Sequence, residues 1–438
     1  MMKTLTRLGS TILALASTLV FAVCASPSFA ADTQSGKTIP PGTVINMHNW
    51  QQYKQFMTDG LVALFSGKYF WKFPPDFRMA VSPTTVYHNP PQFEKDTEKY
   101  ASQVEIVPLP DGGHNIKGYV AGIPFPNPKD PLKGWKILVD DWYAYEPVVL
   151  CGPDAWGMQQ DRFGNRTPTH LIWDNMRTAH ASDPGYPIND PRAPGEFLVE
   201  YTQLAVPETI KYLTIMTIYY DDLAKPEDLY VFIPALRRSL RMSAAARCAP
   251  FANGDWTYDD THRGCFNGTA TMFDADYLGD RKILESLDGS KDLSKMRDMN
   301  NYYQPLIFGK PTLETWQVRD AWVIDVHRIP ALAKGYCYKR RILYVDKQSY
   351  LAQWAEMYDV SNKLWKIDYD PQGMVNVPGV GETWQNSGWG SVYDVQNAHM
   401  TWVELNFHAN QDCKNVHGVD YTNFSHFFTL SALSQILR

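Results

Sequence analysis

The stretch Lys211-Tyr212-Leu213-Thr214-Ile215-Met216-Thr217-Ile218-Tyr219-Tyr220 decides what kind of fold the chain needs. Its β-branched and aromatic residues fit a pleated strand, in which successive side chains point to opposite faces. One face then carries Leu213, Ile215 and Tyr219, and the other Tyr212, Met216, Ile218 and Tyr220, so neither is made for water. Asp228–Ile233 repeats the pattern, with Leu229, Val231 and Ile233 opposite Tyr230 and Phe232. A strand that is apolar on both faces has to be covered on both. In an antiparallel sheet the cover is a second layer, or the sheet itself curving around an apolar interior.

Outward from this stretch the same texture recurs: short extended runs separated by turn residues, as in an antiparallel meander. Phe197–Leu204, Trp316–Arg328, Lys339–Val345, Tyr350–Tyr358 and Lys363–Tyr369 read as strands, the last three as consecutive neighbours. Gln103–Leu109 and Asn115–Val120 flank Pro110-Asp111-Gly112-Gly113 as a hairpin, and Val392–Phe407 reads as a closing strand. Apolar residues at three- and four-residue spacing predict a helix over Trp50–Phe65. Ala275–Leu287 carries a mixed helical signal, and the Gly- and Pro-bearing Val375–Trp389 reads as a loop. The fold class is mainly β (α+β).

The N-terminus reads as a secretory signal over residues 1–30: a basic stub, an apolar run from Ile12 to Val23, and Ser28-Phe29-Ala30 as a small-x-small cleavage site. Acylation at Cys24 is the competing reading, although Val23 stands where that processing wants a small residue. Residues 31–438 then form a single domain with a helical or irregular extension over about 43–100. An exported chain meets an oxidising compartment, so Cys151, Cys248, Cys265, Cys337 and Cys413 are expected to pair, with one left over. Cys248 with Cys265, closing a Gly- and Asp-rich loop, is the expected bridge. A net charge of -6, from 41 basic and 47 acidic residues, excludes the concentrated basic excess of a nucleic-acid binder.

No G-x-S-x-G elbow, H-E-x-x-H helix or phosphate-cradling glycine loop occurs, so no catalytic residue is assigned. No cofactor is expected either. Three clusters are open to two readings. Arg237, Arg238, Arg241 and Arg247 follow a strand and either grip an anionic head group or partner, or form a solvated basic rim. The run Asp255-Trp256-Thr257-Tyr258-Asp259-Asp260-Thr261-His262 is either an oxygen-rich cation site, off the regular calcium-loop spacing, or an ordinary turn-rich loop. His408, Cys413, His417 and His426 have borderline-soft donors at irregular spacing, and no metal is assigned to them. The aromatic load, with 14 Trp and 25 Tyr, exceeds what a core needs and either lines a pocket or packs the interior.

The segment Tyr119-Val120-Ala121-Gly122-Ile123-Pro124-Phe125-Pro126, with Gly134-Trp135-Lys136 after it, resembles the exported bacterial proteins of the domain of unknown function 1329 family. Tyr230–Arg238, Arg340–Asp346, Glu356–Asp359 and Leu364-Trp365 extend the resemblance across most of the chain. Where the family continues its Gly-x-Lys segment into Trp-Asn, this chain has Leu138-Val139-Asp140. The family is in turn similar to the lipoprotein carriers LolA and LolB. That resemblance implies a strongly curved, unclosed antiparallel sheet plugged by helices, and a periplasmic carrier of a lipid or other hydrophobic molecule. It also implies an RND- or MMPL-type inner-membrane exporter and an outer-membrane protein as partners. On this reading Tyr212, Met216, Ile218, Tyr230, Phe232 and Trp322 line the ligand cavity, with Arg237, Arg238 and Arg241 at its mouth for a head group or partner. The rival readings are a structural or assembly factor of an envelope complex, and an enzyme acting on a hydrophobic substrate.

Overall fold

The computed structural model describes residues 38–242, 247–262, 265–267, 269–287, 292–386 and 389–436; the expected secretory signal and Cys24 lie outside them. Thirteen strands of the main sheet follow in chain order. Val149–Gln160 (β1), Arg166–Arg177 (β2), Glu196–Val206 (β3), Thr214–Tyr220 (β4), Asp228–Ile233 (β5) and Arg238–Arg241 (β6) come first. Phe273–Ser286 (β7), Trp316–Arg328 (β8), Arg340–Asp346 (β9), Ala352–Tyr358 (β10), Leu364–Tyr369 (β11), Trp389–Asp394 (β12) and His399–Glu404 (β13) follow.

Their spatial order is β6-β5-β4-β3-β2-β1-β13-β12-β11-β10-β9-β8-β7. The sheet is therefore two sequential meanders joined where β1 meets β13, with Trp402 opposite Met158. A fourteenth strand, His408–Ala409, pairs with the start of β1. Every pairing is antiparallel, and the sheet is curved and unclosed, ending on β6 and β7. The fold is mainly β, as the alternation of the strand sequences requires.

Both faces of the sheet are covered. In antiparallel strands, residues opposite one another share a face, and this sorts the two sides of the first meander. Met216, Tyr201, Asp174 and Cys151 form one row, buried beneath Tyr421, Phe427, Phe428 and Leu433 of the C-terminal segment. Ile215, Thr202 and Trp173 form the next row, on the inner face. The outer face of the second meander, including Trp354, Tyr369 and Trp402, is covered by the N-terminal extension and by Tyr302 to Trp316.

That extension holds a 3-10 turn, Trp50–Phe56, and the helix Asp59–Ser66 (α1). Thr58 caps α1 by accepting from the Leu61 N–H at 3.1 Å, and Gly67 ends it at φ +65°. A second helix, Pro91–Tyr100 (α2), precedes the short hairpin Glu105–Pro108 with His114–Lys117. On the inner face the helix Lys133–Trp142 (α3) buries Trp135, Leu138 and Val139 against strands β7 to β10, and Trp142 against Phe197 of β3 and Tyr219 of β4. Its Gly134 rides so close on β7 that a Cβ would come within 2.1 Å of the Ala275 carbonyl oxygen. Only glycine fits there.

Several sequence expectations change. Ala275–Leu287 is strand β7 up to Ser286, because its partner β8 supplies a ladder that overrides local helix propensity. Val375–Trp389 is not a loop but mostly a hairpin, Gln372–Val377 with Gly381–Asn386. Strand β4 starts only at Thr214, since Tyr212 turns the chain at φ +64°. The expected Cys248–Cys265 bridge does not form: Cys248 bonds Cys337 and Cys151 bonds Cys413, leaving Cys265 free and buried. Each bridge reaches far along the chain: Cys337 sits in the connection between β8 and β9, and Cys413, in the 3-10 turn Asn410–Asn415, is 262 residues from Cys151. Among the described residues no helix is long and apolar enough to cross a membrane.

Candidate functional site

A cleft of about 190 Å³ opens between the inner face of the sheet and the segment 251–262, which lies over it as a plug. Its sheet side is set by register. Ile215, Thr202 and Trp173 form one row across β4, β3 and β2; Thr169, Gly157, Val403 and Gly390 form another across β2, β1, β13 and β12. Two glycines and two small side chains in that second row leave the space. The plug contributes Phe251, Trp256, Tyr258 and His262, and Leu171 and Phe407 complete a mainly apolar lining. The volume is below the roughly 300–1,000 Å³ of sites that enclose a drug-sized molecule. A longer guest therefore fits with part of it outside the cleft or with the plug displaced.

The plug is the acidic run, and it is buried rather than a surface turn: Asp259 is 0% and Asp260 3% exposed. Its carboxylates are met by cations from β8 and β9 and from Arg247, just before the plug. Asp259 pairs with Arg247 and Arg328 and accepts from Tyr336; Asp260 pairs with Arg341 and accepts from the Tyr338 hydroxyl at 2.7 Å. Asp255 accepts from the Thr401 hydroxyl and faces His399 Nδ1, each at 2.7 Å. With those charges answered from within the protein, the run has no ligand set for a cation. In the C-terminal cluster Cys413 is spent on the disulfide to Cys151, so His408, His417 and His426 have no thiolate to join. Among the described residues no group of three or more metal-ligating side chains converges.

A second buried polar feature of the cleft is the pair Glu200–His262. His262 Nδ1 lies 2.8 Å from Glu200 Oε1, while Glu200 Oε2 accepts from the Tyr219 hydroxyl at 3.0 Å. Both oxygens are thereby used, and the ring is fixed in place. Asp368, on the opposite wall, accepts from Trp256 Nε1, and burial pushes its carboxyl well above the ordinary carboxylate range. Burial likewise pushes the Cys265 thiol well above its ordinary value, the wrong direction for a nucleophile. The geometry is that of a binding cleft with a few fixed polar groups.

None of the six residues expected to line the cavity does so. Met216, Ile218, Tyr230 and Phe232 face the outer side, in or against the cluster under the C-terminal segment. Trp322 packs on the α3 side of the inner face, and Tyr212 sits in the turn before β4, 40% exposed. Two-residue alternation says which side chains share a face, not which face is hollow; the alternate set, Ile215 and Thr217, is the one that lines the cleft. Arg237, Arg238 and Arg241 lie at or on the edge strand β6, exposed and away from the cleft, with Arg241 paired to Asp228. Arg247 is instead buried, holding Glu227 and Asp259. The aromatic surplus is largely core. Trp316, Trp354, Tyr369 and Phe308 stack together on the outer face.

A family model described as "Protein of unknown function (DUF1329)" matches residues 44–434. The chain belongs to the DUF1329 family. Three solved structures have similar chain paths. A putative outer membrane lipoprotein-sorting protein domain from Vibrio parahaemolyticus is 12% identical, with 69% of this chain and 99% of that one covered, at a TM-score of 0.44. A DUF1329 family protein from Desulfovibrio piger is 14% identical, over 66% and 98%, at 0.43. A LolA superfamily protein from Nitrosomonas europaea is 14% identical, over 61% and 87%, at 0.33. No curated protein matches the chain. Likenesses this distant do not carry a ligand or a partner from one chain to another. In this DUF1329 chain the signals for the cleft were scattered: Gly157, Gly390 and Ile215 come from three strands that only the completed sheet brings together.

Proposed function

We propose that this DUF1329 protein binds a hydrophobic molecule in the cleft and carries it through the periplasm without altering it. The observation that supports this reading is the apolar gap that a closely packed sheet keeps between Ile215, Leu171 and Trp173 on one side and Phe251 and Trp256 on the other. Apolar surface withdrawn from water contributes about 0.8 kcal/mol per buried methylene, so a short chain binds there without any ion pair. The two disulfides fit an oxidising compartment. Delivery calls for a membrane partner, an RND- or MMPL-type exporter or an outer-membrane protein. Arg237, Arg238 and Arg241, exposed on or beside a free sheet edge, are the residues we assign to meeting its acidic surface.

Native mass spectrometry of gently purified protein tests the carrier reading. The wild type retains or takes up a lipid-sized adduct, and Thr202→Trp, which fills the middle of the inner row, loses it while its near-ultraviolet spectrum stays that of a folded protein. A wild type that neither keeps nor accepts any apolar molecule ends the proposal.

A further inference from the structure

Three lining residues carry a buried side-chain polar atom with no partner among the described residues: His262 and Gln372, whose open atoms are acceptors, and Trp402, whose Nε1 donor belongs to a ring packed in the outer-face cluster beside Tyr302. His262 is 7% exposed; its Nδ1 is engaged by Glu200, and its Nε2 is buried with no partner among the described residues. In the neutral ring the Nδ1–H donates to that carboxylate, which makes Nε2 a lone-pair acceptor. Gln372, 2% exposed and also lining the cleft, leaves its Oε1 unpartnered. The other ionisable carboxyl-bearing residues of the lining are Glu146, Asp260, Asp368 and Asp370, and no Lys or Arg lines it among the described residues. The nearest guanidinium groups stand behind their carboxylates: Arg341 is spent on Asp260, and Arg177 lies 3.9 Å from Glu146. A buried acceptor without a donor is costly, and so is an anion brought among carboxylates with no free cation.

We infer that the guest of this cleft is an apolar molecule whose head group donates hydrogen bonds, an alcohol, phenol or amine, and that carboxylate and phosphate heads are rejected. The inference rests on the carrier reading and sharpens it. Glu200 and Tyr219 position the His262 ring, and Gln372 supplies the second acceptor from the far wall. The arginines at the sheet edge then have no part in reading the cargo, because they lie away from the lining.

A matched series of ten-carbon chains separates the outcomes: 1-decanol, decylamine, decanoate and methyl decanoate, titrated against the full chain by isothermal titration calorimetry. The alcohol or the amine binds at least about tenfold more tightly than the ester and the acid, a factor in keeping with one buried hydrogen bond. Which of the two wins tells a neutral donor head from a cationic one. His262→Phe removes the preference and leaves ester affinity unchanged. Gln372→Leu, which does not touch the Glu200–His262 pair, reduces it by about threefold and serves if the first variant fails to fold. Equal affinity across the series, or a preference for decanoate, overturns the inference and leaves the carrier reading standing. Binding of none of the four removes both.

Discussion

Glu356 is where a single residue couples the N-terminal extension to the sheet. It stands fully buried on β10, accepts from the Gly60 N–H at 2.5 Å and lies 3.3 Å from the Tyr344 hydroxyl. A Cβ at Gly60 would come within 2.8 Å of Ile367 Cγ2, so α1 docks through a position that only glycine fills. Burial is the chief cause that pushes Glu356 from 4.5 to about 7, with the nearby Asp59 adding to it. Because the folded value lies above the unfolded one, its contribution is fully present below pH ~4.5 and is lost as pH rises to and through about 7. The whole span corresponds to on the order of 3 kcal/mol. Glu314, raised to about 8 by burial, acts in the same direction, so the comparison has to be with a variant rather than with theory. Urea denaturation between pH 5 and 8 should show the wild type losing stability more steeply than Glu356→Gln. Parallel curves would mean that the carboxyl does not change its protonation on folding.

Among the elements, the plug segment depends most on contacts from afar. The disulfide Cys248–Cys337 anchors its start, and Arg247, Arg328 and Arg341 hold its two buried aspartates from the sheet side. Loss of the disulfide costs roughly 2–4 kcal/mol of constraint, while the ion pairs stay. Cys248→Ala with Cys337→Ala should therefore leave β8 and β9 protected but speed amide exchange over 251–262 by tenfold or more. Unchanged exchange there would place the restraint entirely in the ion pairs. The same segment marks the limit of what local sequence conveys. Asp259 and Asp260 look like solvated turn residues because their partners come from strands up to about eighty residues away in the chain. Strand identity was legible, since alternation in Trp316–Arg328 or Asp228–Ile233 is a local property. Cysteine pairing and the hollow face were not, because both depend on segments far apart in the chain.

For the whole molecule, the doubly apolar strands make one strong demand, and two terminal segments meet it. The N-terminal extension covers the second meander, and the C-terminal segment covers the first, tied to β1 by Cys151–Cys413 and by Asn410, whose Oδ1 accepts from the Val149 N–H at 3.1 Å. Removing the chain after Ala409 bares Met216, Ile218, Phe232 and Tyr201, which are all nearly fully buried. Each such side chain is worth about 1.5–3 kcal/mol in transfer free energy. Four of them approach the 5–15 kcal/mol by which domains are stable. A chain ending at Ala409 should bind 8-anilinonaphthalene-1-sulfonate strongly and elute as aggregate. The full-length chain carrying Cys151→Ala and Cys413→Ala, which loses the tether but keeps the cover, should elute as the wild type does, with a lower unfolding temperature. The contrast separates cover from tether. If the truncated chain instead elutes as a folded species with little dye bound, the outer face of the first meander tolerates water, and the double burial read from Lys211–Tyr220 is not what holds these strands in place.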